Sequence, residues 1–212
     1  MIIIDFILHC NQYIGDFIAN YGNLVYLLLF AIIFCETGLV FLPFLPGDSL
    51  IFAAGAFAAT SDLNLEILFL IIISAAIIGD TVNYEIGKHL GRKIVRNGKL
   101  IKKENLNKAD ALIDKYGSAA VLIARFMPII RTIVPFVVGM GKLEYKKLIP
   151  FNALGGCIWG TLFIMIGYLF GNIPAVKDHF SLIMIAIILI SVSPIIIALM
   201  KNKIYKTKTE DK

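Results

Sequence analysis

Two arginines six residues apart, Arg125 and Arg131, lie in RFMPIIRTIVPFVVG (125–139), a stretch that is otherwise apolar and carries Pro128 between them. Glu36 and Asp48 flank a second apolar stretch interrupted by proline and glycine, FLPFLPGDS (41–49), and Asp80 lies within a third. An arginine at the centre of a bilayer costs roughly 2.5–3.5 kcal/mol on insertion scales, so such residues usually pair or line a wet path. A guanidinium offers a permanent charge and a planar fork of donors suited to phosphate. Carboxylates beside it can neutralise it, compete with an anion for it, or release that anion on protonation. Two roles therefore stand open: a clamp between helices, or a route for a charged headgroup or a proton. The number of charges exceeds what a clamp requires and favours transport.

These residues need elements to hold them. The chain has 212 residues, 58% of them hydrophobic, and a mean hydropathy of +0.83, above the 45–50% apolar content of soluble domains. This is the composition of an all-α polytopic membrane protein. Residues 1–22 mix apolar residues with Asp5, His9, Asn11, Gln12 and Asp16, which suits an amphipathic helix at the interface. The opening residues lack a basic n-region and a small-residue cleavage site, so no signal peptide is expected. A membrane domain spans 23–200, followed by a basic tail, 201–212.

Within that domain, Pro43, Pro46 and Gly47 break the first apolar run, and Pro128 and Pro135 break a later one. The pieces on either side are too short to cross, as re-entrant segments are. Residues 23–59 and 117–141 are therefore expected to be helix–break–helix hairpins that enter the membrane and return to the same side. In an unbroken helix Arg125 and Arg131 would point about 240° apart; the break at Pro128 lets both face one cavity. Crossing helices are expected at 65–90, 148–170 and 181–200, the last kinked at Pro194, with a polar, basic loop over 91–116.

Basic residues sort accordingly. Lys and Arg number nine in 88–116, three in 142–147 and five in 201–212, against none in 1–22, none in 60–64 and one in 171–180. With two re-entrant hairpins, the basic stretches share one side, which the positive-inside rule makes cytoplasmic, with the C-terminus. A weak repeat supports this reading: FLP (41–43) and FMP (126–128), FAAG (52–55) and FVVG (136–139), IGKHLG (86–91) and IGYLFG (166–171). Each unit is one hairpin plus one crossing, so the second copy is inverted, an arrangement found in transporters. Gly87–Gly91, Gly156–Gly160 and Gly167–Gly171 are small-xxx-small pairs suited to close helix packing, and Trp159 reads as packing. Cys10, Cys35 and Cys157 have no metal-ligand spacing. No catalytic motif is present, so an enzyme, a cofactor, a metal site and a nucleic-acid partner are not expected.

Four stretches, Glu36 with PFLPGDSL (43–50) and Gly55, GDTVNYEIGKHLG (79–91), RFMPIIRTIVPFVVG (125–139) and FNALGGCIW (151–159), resemble in order the DedA family of bacterial inner-membrane proteins with the VTT domain. The resemblance spans about residues 25–200. It implies opposed re-entrant hairpins, lipid transport and a part in membrane homeostasis, with Glu36, Asp48, Arg125, Arg131 and Asp80 as the substrate or transport residues. Bacterial members are linked to undecaprenyl phosphate recycling, eukaryotic relatives to phospholipid scrambling, and some members to proton-dependent transport. The expectation is a flippase for a polyprenyl-phosphate carrier, with protons as a possible coupling partner and a homo-oligomer as a possible assembly. The alternatives are a proton-coupled exporter of small ions or drugs, a general phospholipid scramblase and a non-transporting scaffold.

Overall fold

A computed structural model of the chain describes residues 10–40, 47–59, 63–97, 101, 103–174 and 176. Among them all regular structure is helical. Helix α1 spans Cys10–Gly38, α2 Gly47–Ala58, α3 Leu65–Asn97 and α4 Lys103–Tyr116. A short 3₁₀ turn leads into α5, Ala120–Ala124. Helix α6, Ile130–Val137, runs into a π turn at Val138–Lys142, and α7 spans Tyr145–Gly171. Among the described residues two helices are long and apolar enough to cross a membrane, Leu65–Arg96 with mean hydropathy 2.2 and Tyr145–Gly171 with 1.8. Shorter apolar helices, Leu24–Gly38, Gly47–Ala58 and Ile130–Gly141, lie on the flanks of the two interruptions.

Local chemistry sets several boundaries. Asn64 caps α3: its Oδ1 accepts the N–H groups of Glu66 at 2.9 Å and Ile67 at 3.1 Å. The Asn64 N–H donates to the Tyr26 hydroxyl at 2.6 Å, tying that start to α1. The π turn ends at Gly141, whose φ of 114° favours glycine.

Three boundaries differ from the sequence reading. Helix α1 passes through residue 22 without interruption. The 22/23 division rested on polarity, which decides where a helix lies but does not stop it, and no proline falls between Cys10 and Gly38. The expected 91–116 loop is largely helical: α3 continues to Asn97, and α4 packs its buried Ala109 and Ile113 towards α5 and α6. At 33 residues α3 is about 50 Å long, beyond a hydrocarbon core of about 30 Å. Pro135 is not a break, because it lies inside α6; its missing N–H removes one helical bond without ending so short a helix. Pro43, Pro46, the 181–200 span with Pro194, the 201–212 tail and residues 1–9 lie outside the described residues.

The packing is crossed. Helix α1 lies along α3, but α2 lies along α7, while α6 and its π turn lie along α3. Glycines permit both close approaches. A Cβ on Gly55, Gly167 or Gly171 would run into the backbone of Ile164, Phe52 or Ala56. A Cβ on Gly139 or Gly87 would run into the backbone of Tyr84 or Phe136, and one on Gly91 into the Met140 side chain. These are corresponding contacts: a shift of 84 residues along α2 and 80 along α3 carries one set onto the other. Gly156 and Gly160 face Ile77 and Ile73 of α3, so all three small-residue pairs sit at helix contacts.

Candidate functional site

The second interruption runs from Arg125 to Ile129. The N–H groups of Phe126 and Met127 still reach back to Ile123 and Ala124, and the Ile130 N–H then donates to the Pro128 carbonyl at 2.8 Å. That two-residue closure is a γ-turn centred on Ile129, with φ 70° and ψ −48°. Positive φ is strained for a β-branched residue. Beyond it the Arg131 N–H reaches the Met127 carbonyl at 3.1 Å. The turn redirects the chain, so both arginines project into one region.

Arg131 meets acids from both sides of the first interruption. Its Nη2 donates to Glu36 Oε1, and its Nη1 to Asp48 Oδ1 at 2.6 Å. The Gly47 N–H, at the start of α2, also donates to Glu36 Oε1, at 3.3 Å. A Cβ on Gly47 would collide with the Glu36 carboxylate, so glycine is required there by contact. Arg125 is paired elsewhere: its Nη2 donates to Asp80 Oδ2 on α3 and to Asn152 Oδ1 on α7, the latter at 2.8 Å. Asn152 in turn donates its Nδ2 to the Ile77 carbonyl at 3.1 Å. The guanidinium lies over the Gly155–Gly156 step of α7, close enough that a Cβ at either position would touch it.

Trp159 links the two pairs. Its ring lies 5.7 Å from the Arg125 guanidinium carbon and 5.6 Å from that of Arg131, within cation–π range. Its Nε1 donates to Asp48 Oδ1 at 3.2 Å. Thr37, Asp80, Arg125, Arg131 and Thr132, with Val121 and Trp159, border a cavity of about 10 Å³, room for about one water. The two pairs differ in access. Arg125 and Asp80 are 4% and 7% exposed, Arg131 11%, whereas the Asp48 side chain is 39% exposed. Arg125 Nε and Nη1 and Glu36 Oε2 are buried without hydrogen-bond partners among the described residues.

All five charged residues singled out from the sequence are thus brought together, and both arginines reach the one cavity. Arg125 takes Asp80 and leaves both acids of the first interruption to Arg131. Three participants were not singled out as site residues. Asn152 and Asn83 are neutral residues that carry no warning in an apolar span, and Trp159 was assigned to packing. Asn152 and Trp159 fall in the same short stretch, FNALGGCIW, the one signal that could have found them.

The VTT domain family matches residues 45–169. Protein DedA of Escherichia coli K12 is 44% identical over 205 residues, covering 95% of this chain and 94% of that protein. An uncharacterized membrane protein of Mycobacterium tuberculosis H37Rv is 33% identical over 182 residues, 84% of this chain and 80% of its own. Inner membrane protein YghB of E. coli K12 is 33% identical over 159 residues, 74% and 73% of the two chains. No solved structure matches the chain.

Proposed function

Because the chain belongs to the DedA family of VTT-domain membrane proteins, we propose that it carries a lipid with an anionic phosphate headgroup, a polyprenyl phosphate such as undecaprenyl phosphate, across the cytoplasmic membrane. One observation carries the proposal: two largely buried guanidiniums, at a break in an apolar segment, line one small cavity, and Arg131 is paired with the half-exposed Asp48. A lipid carrier needs a polar path for its head and an open flank for its tail. The corresponding glycine contacts of α2 on α7 and α6 on α3 support the reading of two opposed re-entrant hairpins in an inverted repeat. On that reading the basic stretches and the C-terminus are cytoplasmic.

The charge count refines the mechanism. Three carboxylates face two guanidiniums, so the fully ionised cluster carries one net negative charge. An incoming phosphate then requires that an acid swing away, and Asp48, the exposed member, is positioned to do so. The arginines bind and orient; no bond is made or broken.

The closed pairs are also what a structural clamp would form, so the two readings need separating. Arg131→Lys keeps the charge but loses the planar fork. With a headgroup to hold, this variant folds yet loses most lipid translocation in reconstituted vesicles. With only a clamp, it is mild, and Arg131→Gln combined with Glu36→Gln and Asp48→Asn restores activity by leaving no unpaired charge. Translocation near the parent rate in that triple variant would defeat the headgroup proposal.

A further inference from the structure

Asn83 lies on α3, one turn beyond Asp80, and is fully buried. Its side-chain amide donates to two carbonyls from opposite halves of the chain: Thr37 in the last turn of α1, at 3.0 Å, and Thr132 in the first turn of α6, at 2.7 Å. Each of those residues adjoins one member of an ion pair, Thr37 following Glu36 and Thr132 following Arg131. Near the end of a helix a carbonyl lacks its intrahelical donor, which leaves the Thr37 carbonyl open to an outside one. The contact is set closely on the α1 side, where a Cβ on Gly79 would collide with the Thr37 hydroxyl.

The geometry points to Asn83 as a positioning residue that fixes the separation of the two backbones at the value where Arg131 reaches Glu36. Only a neutral side chain with two N–H donors can serve both carbonyls at once. An aspartate would set a carboxylate against two carbonyl oxygens. The arrangement leaves Asn83 Oδ1 buried without a hydrogen-bond partner among the described residues. Since one amide holds both carbonyls, the two interruptions cannot move apart without breaking at least one of its bonds. Site opening is thereby coupled across the molecule. This inference rests on the reading that the site opens to admit a ligand, but its test does not use transport.

Trp159 is the only tryptophan in the chain and touches both arginines and Asp48, so its fluorescence reports on the site. The experiment compares iodide quenching of Trp159 in full-length protein in nanodiscs for the parent, Asn83→Leu and Asn83→Ser. The Leu variant removes both donors, and the Ser variant keeps one. Loss of two hydrogen bonds is expected to raise the quenching constant about fivefold, with Ser intermediate. The same series is repeated on Arg131→Gln combined with Glu36→Gln. If Asn83 acts by placing that pair, its effect on quenching collapses once the pair is gone, because the two sites are coupled. Unchanged quenching in both single variants, or an equal increase with and without the ion pair, would overturn the proposal. Should Asn83→Leu fail to fold, Asn83→Ser decides by the same criteria. A failure of lipid translocation in the parent would count against the transport reading and leave this measurement intact.

Discussion

Arg125 directs a single amino group at both Asp80 and Asn152 and is nearly as enclosed as the apolar residues around it. Removing one member of such a pair strands the other. Arg125→Gln alone is therefore expected to lower folding stability by about 3–5 kcal/mol, and adding Asp80→Asn to recover most of it. Thermal unfolding in one detergent measures both. Recovered stability together with lost translocation would show that Arg125 does more than neutralise Asp80, whereas full recovery of both would assign it to the clamp. The five charges were legible in the sequence because a charge in an apolar run is costly and therefore conspicuous. Their partners were not. Glu36, Asp48 and Asp80 look equivalent along the chain, and only the packing of α7 against both α3 and α5 delivers Asp80 to Arg125. Asn83, Asn152 and Trp159 stayed hidden because a neutral side chain in a span is compatible with simple burial.

The interruption at 125–129 owes its shape to backbone as much as to proline. Pro128 marked it in the sequence, but the γ-turn falls on Ile129, a residue type that gives no hint of positive φ. Strain of this kind costs of order 1–3 kcal/mol and survives only where surrounding structure enforces it. Ile129→Gly is accordingly expected to raise the unfolding temperature by a few degrees, for roughly 1 kcal/mol of relief, provided the half-buried Ile129 side chain contributes less than the strain. Lower stability would mean that its packing outweighs the turn. The contrast with Pro135 shows where sequence reading stops. Both prolines predicted a break, yet one sits in a turn and the other within α6. The difference lies in whether neighbouring helices hold the segment straight, as α3 does for α6 through Gly87 and Gly139. The long helices α3 and α7 were legible throughout, because sustained hydropathy needs no partner to be seen; the extension of α3 to Asn97 was not, because its last turns are polar.

At the scale of the whole molecule, the distribution of Lys and Arg makes the clearest statement. The proposed topology puts 91–116 on the cytoplasmic side and the 60–64 loop opposite, and it predicts that single cysteines at Asn105 and Ser61 in a cysteine-free background react from opposite faces with an impermeant thiol reagent in intact cells. Labelling of both from one face would refute the two-hairpin topology and, with it, a site open to opposite faces in turn.

The crossed seating of α2 on α7 and α6 on α3 also governs how the chain comes into being. Gly55 of α2 has its contact at Ile164, more than a hundred residues later in synthesis. The first half therefore enters the membrane carrying Glu36 and Asp48 with neither Arg131 nor the surface of α7 in existence. Two acids must wait, unneutralised, until the ribosome has made most of the remaining protein. Helix α3, once made, already offers α1 a neighbour along its length, but α2 has none of comparable extent. The nascent chain thus has a defined vulnerable interval, ended by the arrival of α7, and a ribosome stalled near residue 100 would leave the quality-control machinery a half-molecule with two acids and no Arg131 to meet them.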